Sequence, residues 1–107
     1  MPKVYCTQEG MHDYTDAEQY GDLVFLTRLD LNNVKHGQHN EALVGELRRG
    51  LRDFNADEDF MMVVGSPYVG CAVFLILGHM GIRKVSLLRW SNRDKKYVPM
   101  YIELRKE

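Results

Sequence analysis

Gly65-Ser66-Pro67 is the place in this chain where residue type and spacing can do chemistry. The triplet follows the apolar run Phe60–Val64 and precedes the almost wholly apolar run Tyr68–Leu77, so it reads as a strand, a tight turn and a helix. Ser66 can accept from the free N–H groups of the first helical turn. Pro67 fits the first helical position because it has no N–H to leave unpaired, and Gly65 lets the backbone turn closely. Such a helix N-terminus attracts an anion, although it serves equally well as a simple turn. Around it the predicted strand ends carry Thr7 and Gln8 after the first strand and Arg28 after the second, with Lys35 and His36 in an adjoining loop. The candidate ligand-binding set is therefore Thr7, Gln8, Arg28, Gly65 and Ser66.

Other chemistries are poorly served. A nucleophilic Ser66 needs a base and a group to orient that base, and no motif ties His12, His36 or His39 to it. No catalytic residue is assigned. A single Gly before Ser-Pro matches neither a Walker loop nor a dinucleotide fingerprint, so no cofactor is indicated. His36 and His39 are three apart but lack further Cys or carboxylate ligands, and Asp57-Glu58-Asp59 lacks the Gly and later Glu of a calcium loop. No metal site is assigned, and the acidic triplet reads as a solvated loop. His79, at the end of the predicted helix, favours the negative pole of its dipole. The second candidate surface is Arg89, Trp90 and Arg93, with Asn92, Lys95 and Lys96 beside them. A Trp among basic side chains can stack on a base, grip phosphates or anchor a protein interface. Its bland counterpart is a Trp packed over the sheet beside charges that keep a turn soluble.

The elements that position these groups follow from periodicity. Val4–Thr7 predicts a short strand, and Thr15-Asp16-Ala17-Glu18 matches a capping box opening a brief helix that Gly21 stops. Leu23–Thr27, continuously apolar, predicts a parallel interior strand covered on both faces. Leu43, Val44, Leu47, Leu51 and Phe54 recur at helical spacing over charged Glu46, Arg48, Arg49 and Arg52. After the strand at Phe60 and the buried helix, ended by Gly81, come strands over Val85–Trp90 and Tyr97–Leu104. Pro99 removes one ladder donor and so puts the last strand on an edge, hairpinned to the fourth. The order predicts an α/β three-layer sandwich, with a mostly parallel Rossmann-like or flavodoxin-like sheet and a C-terminal antiparallel hairpin on its edge. In such sheets ligands bind at the carboxyl ends of the strands. Thr7 and Gln8 face Gly65 and Ser66 only if the first and third strands are neighbours.

The 107 residues predict a single α/β domain over 1–107. With 14 basic and 15 acidic side chains, the net charge of −1 gives no electrostatic case for general nucleic-acid or membrane binding. Met1–Val4 opens no secretory signal, and the apolar helix falls short of the roughly 20 residues that span a bilayer. A soluble intracellular protein is expected. Cys6 in a strand and Cys71 in a buried helix read as reduced core thiols.

Val4-Tyr5-Cys6-Thr7-Gln8-Glu9, Tyr20–Thr27, Leu51-Arg52-Asp53-Phe54 with Asp57-Glu58-Asp59, Gly65–Val69, and Leu87-Leu88-Arg89-Trp90 with Asn92-Arg93-Asp94 occur here together. In these segments the chain resembles a family of small uncharacterised proteins encoded by tailed bacteriophages. The resemblance implies a phage gene product in the cytoplasm of the infected bacterial host, with virion association open, and it carries over no catalytic or binding residue. Small phage proteins often act by binding a host or phage macromolecule, so the first functional reading is a non-catalytic binding protein that also self-associates, for example through the edge strand. The alternative is a small-ligand or nucleotide-binding domain, possibly an enzyme, with an anion site at Gly65-Ser66. A nucleic-acid role comes third, and no membrane role is expected.

Overall fold

The computed structural model describes residues 2–35 and 37–105. Its elements are β1 (Lys3–Cys6), a 3-10 helix (Thr15–Tyr20), β2 (Asp22–Phe25), α1 (Gln38–Leu51), β3 (Phe60–Met62), α2 (Pro67–His79), β4 (Lys84–Ser91) and β5 (Lys96–Glu103). The strands form one mixed sheet in the order β2-β1-β3-β4-β5. The first four run parallel, and β5 pairs antiparallel with β4 from Lys84↔Glu103 to Ser91↔Lys96.

Side-chain alternation along the strands divides the core in two. Tyr5 and Met61 join Leu43, Leu47 and Leu51 of α1 and Val69, Val73, Ile76 and Leu77 of α2 in the larger cluster. Val4, Cys6, Met62 and Leu88 turn the other way and meet Tyr14, Tyr97 and Ala17 of the 3-10 helix. Both α-helices therefore share one side of the sheet, and a single short 3-10 helix serves the other.

Four local expectations are corrected. β2 is parallel but lies at an edge of the sheet, not inside it. Leu23 packs on one core cluster and Val24 on the other, so the apolar run reports two covered faces, which does not require two paired edges. The Thr15–Glu18 capping box does not form. Instead the Asp13 carboxylate accepts both the Thr15 N–H at 2.9 Å and the Thr15 hydroxyl at 2.5 Å. Asp59 is not solvated: it is 4% exposed and accepts from the main-chain N–H groups of Lys3 and Asn55, fastening the start of β1 to the loop before β3. Finally, α2 is apolar all round but buried on one side only, leaving Tyr68, Cys71 and Leu75 exposed.

Other expectations hold. Ser66 caps α2 by accepting the Tyr68 N–H at 3.3 Å, with Pro67 in the first turn. At the far end Gly81 adopts φ 88°, and the Ile82 N–H returns to the Leu77 carbonyl at 3.0 Å, the Schellman arrangement. Gly21 stops the 3-10 helix, and a Cβ there would come within 2.5 Å of the Pro2 carbonyl oxygen.

The two cysteines differ sharply. Cys6 is buried and its thiol is pushed up to about 12 by burial, whereas Cys71 is exposed. A neutral-pH thiol reagent should modify Cys71 in the native protein and reach Cys6 only after denaturation. Two thiols modified at equal rates would contradict this. Folding favours the protonated Cys6, so that contribution to stability is fully present below the ordinary thiol pKa of 9.0 and is lost as pH rises toward 12. Tyr5, Tyr14 and Tyr97, all raised chiefly by burial, act with the same sign from pH 10.0 upward. The denaturant midpoint should fall between about pH 8 and about pH 11, and a flat profile would refute the linkage.

Candidate functional site

The strand order sets β1 beside β3 and brings Thr7 and Gln8 to the Gly65-Ser66 turn. Thr7 is wholly buried. Its hydroxyl donates to the Val64 carbonyl at 2.9 Å and accepts the Val64 N–H at 3.0 Å. Gln8 spans further: its Oε1 accepts the Ser66 N–H at 2.7 Å and its Nε2 donates to the Leu29 carbonyl at 3.0 Å. Gly65 takes φ 73°, which leaves space for the Gln8 carboxamide against the turn. Two donors at this helix start thus meet oxygens of the chain itself, the Ser66 N–H on Gln8 Oε1 and the Tyr68 N–H on Ser66 Oγ.

Arg28 stands apart. It pairs with Glu9 at 3.1 Å and lines a separate recess of about 400 Å³ with Thr27 and Glu46, whose side chains are hydrogen-bonded to each other. Lys35 is exposed, His39 Nε2 lies 2.6 Å from the Asp30 carbonyl, and His36 falls outside the described residues.

A larger cleft of about 720 Å³ opens past the carboxyl end of β3, at Val63, Val64 and Gly65, and along Leu87–Trp90 of β4. Val63, Leu87, Leu88, Trp90 and Met100 give it apolar walls, and the segment from His12 to Asp16 faces them. That segment is fastened across the chain by Asp16, whose carboxylate accepts the Tyr97 N–H at 2.6 Å, and by the Tyr20 hydroxyl on the Tyr97 carbonyl at 3.2 Å. Trp90 donates from Nε1 to Asn92 at 3.1 Å and meets the Tyr97 ring nearly edge-on, with centroids 5.1 Å apart. Held on two sides, it still shows 44% of its surface. Arg89 also lines the cleft and forms no ion pair among the described residues, whereas Arg93 lies outside it, 94% exposed and 4.0 Å from Asp94.

The cleft's acids are already committed. Hydrogen bonds from the Thr15 hydroxyl and N–H hold Asp13 below the ordinary carboxylate pKa, and Asp16 serves Tyr97 and Gln19. The buried Tyr14 hydroxyl has no hydrogen-bond partner among the described residues, and burial raises its pKa, with the nearby Gly10 amide opposing the rise. Among the described residues, Arg89 is therefore a cation without an ion pair beside the cleft's apolar and aromatic surfaces.

The sequence reading placed Gly65 in one candidate site and Arg89 and Trp90 in another, but the fold sets all three around one cleft. It set His12 aside for want of a motif and assigned Asp13, Asp16, Tyr97 and Met100 to neither site. Tyr97 and Met100 were within reach, because antiparallel pairing puts Tyr97 opposite Trp90 and Met100 opposite Leu87. No local pattern marks the loop acids, since Asp16 and Tyr97 are 81 residues apart.

Among the described residues no group of three or more His, Cys, Asp or Glu is gathered so that it could hold a metal ion, and no helix is long and apolar enough to cross a membrane. Residues 2–104 match the family model described as Phage Pam3 gp32-like protein. The comparisons with curated proteins and with solved structures gave no match.

Proposed function

The chain belongs to the Phage Pam3 gp32-like protein family, and from this membership and the cleft beside Trp90 we propose that it is a non-catalytic phage binding protein acting on a host or phage protein. It works in the cytoplasm of the infected host. The observation that carries the reading is Trp90, fixed by Asn92 and Tyr97 and yet 44% exposed. A large aromatic group ordered before binding loses little conformational entropy on contact, which is how interface anchors act. Arg89 beside it supplies a charge for a carboxylate or phosphate on the partner.

Purification of the tagged protein from its host should retain a stoichiometric protein partner. Trp90→Ala should reduce that capture at least tenfold, on the scale of about 1.4 kcal/mol or more for an anchor residue. Arg89→Glu, which leaves the aromatic pair in place, should do likewise. Undiminished capture by both folded variants would overturn the assignment. Retention that disappears steeply with added salt and carries nucleic acid would favour the nucleic-acid reading instead.

A second reading rests on the cleft's volume and position. About 720 Å³ lies within the range of small-molecule sites, and the order β2-β1-β3-β4-β5 supports a flavodoxin-like three-layer reading in which ligands sit at the carboxyl ends of the strands. Gly65 and Arg89 would then face an anionic small ligand, with Thr7, Gln8 and Ser66 shaping the wall behind. A phosphate-bearing ligand should raise Tm and Arg89→Glu should remove the shift. No shift across a broad anion panel would sink this reading.

A further inference from the structure

β5 is one of the sheet's two outer strands, and its free edge is closed by the chain itself along only half its length. Antiparallel partners alternate between residues that turn their main-chain groups toward each other and residues that turn them away. The Leu104 N–H donates to the Arg83 carbonyl at 2.8 Å, in register with Val85↔Ile102. By alternation, Val98, Met100 and Ile102 bond toward β4, whereas Tyr97, Pro99, Tyr101 and Glu103 turn outward. Tyr97 fits this: its outward N–H meets Asp16 and its carbonyl meets Tyr20. Pro99 has no N–H to offer. Tyr101 and Glu103 each present an outward donor and acceptor with no partner among the described residues.

The side chains of that open half are apolar on one face. Met100, Ile102 and Leu104 alternate along it with exposures of 37%, 49% and 65%. Ile102 and Leu104 continue into a shallow groove floored by Phe74 and Leu77. An exposed edge with a hydrophobic face and unpaired main-chain groups is what folded proteins ordinarily block or cover. Here the blocking groups, Asp16, Tyr20 and Pro99, all sit at the other half.

We propose that a second copy of this chain covers it, the two β5 strands pairing antiparallel about a twofold axis at Ile102. The edge is its own complement in that register. Tyr101 lies opposite Glu103 of the second copy and Glu103 opposite its Tyr101, giving about four N–H···O bonds. Met100 meets Leu104, and Ile102 meets Ile102. Glu103 and Arg105, paired within one chain at 3.7 Å, fall opposite Tyr101 and Pro99, so no like charges confront each other directly. The two sheets become one. The proposal does not depend on what the cleft binds, although Met100 lines both the cleft and the open half of the edge.

Sedimentation of the purified full chain over a hundredfold concentration range should show a dimer. The main-chain amides of Tyr101 and Glu103 should exchange hydrogen more slowly as the dimer fraction rises. Ile102→Lys, which sets two ammonium groups face to face, should raise the dissociation constant at least tenfold. Tyr101→Pro should do the same with the fold kept, because an outward N–H is not needed by β4. A wild-type monomer at every concentration, or a dimer that both folded variants leave intact, would overturn the proposal. Should Tyr101→Pro not fold, Ile102→Lys and the exchange measurement decide alone.

Discussion

Alanine at position 65 should lower the stability of the fold by about 2–4 kcal/mol, measured as the shift of the denaturant midpoint at unchanged slope. Two effects add. The residue holds φ 73°, where an L side chain costs about 1–2 kcal/mol. The new Cβ would also lie 3.0 Å from Gln8 Cδ and closer still to its Oε1. Gln8 cannot swing away freely, because its carboxamide holds both the Ser66 N–H and the Leu29 carbonyl. Moving it would leave a main-chain donor unpaired at the start of α2 and release the loop after β2. A double-mutant cycle separates the terms. In a Gln8→Ala background the collision with the carboxamide is gone and only the 3.2 Å approach to the Cβ of residue 8 is left, so Gly65→Ala should cost little more than the backbone part, about 1–2 kcal/mol. Equal costs in both backgrounds would mean that the carboxamide does not shape this turn.

The same junction shows why parts of this protein were legible in its sequence and parts were not. Ser66, Pro67 and Gly81 act on backbone groups within a few residues of themselves, so their pattern suffices to mark both ends of α2. The five strands and their partner helix α1 were legible for a related reason: apolar spacing reports which faces are covered. Edges are another matter. Leu23 and Val24 announce two packed faces, but whether a strand lies beyond β2 depends on the whole sheet. Likewise, Asp59 reads as one of three adjacent acids until β1 supplies the Lys3 N–H that buries it. The cleft was hardest to foresee, because Asp16 reaches across 81 residues to Tyr97 and no local rule prescribes that bond. Gly65, Arg89 and Trp90 were visible individually; their convergence on one hollow is a property of the strand order.

Thr7→Val should cost about 2–3 kcal/mol despite nearly preserving shape and burial. The Thr7 hydroxyl serves one residue twice, donating to the carbonyl of Val64 and accepting its N–H. β3 has ended at Met62, so this side chain replaces the ladder for two residues past the end of the strand. A methyl in its place leaves both Val64 groups facing apolar surface, at about 1–3 kcal/mol for each group that water cannot reach. Thr7→Ser, which keeps the hydroxyl, should lose less than about 1 kcal/mol, and this difference isolates the hydrogen bonds from the packing. Val64 and Gly65 also line the cleft, so Thr7 fixes part of its wall. Partner capture by Thr7→Val, compared under conditions where both proteins are fully folded, should fall several-fold while Thr7→Ser retains it. If Thr7→Val loses stability but captures its partner unchanged, the turn at Gly65 belongs to the fold alone and recognition rests on the Trp90 wall.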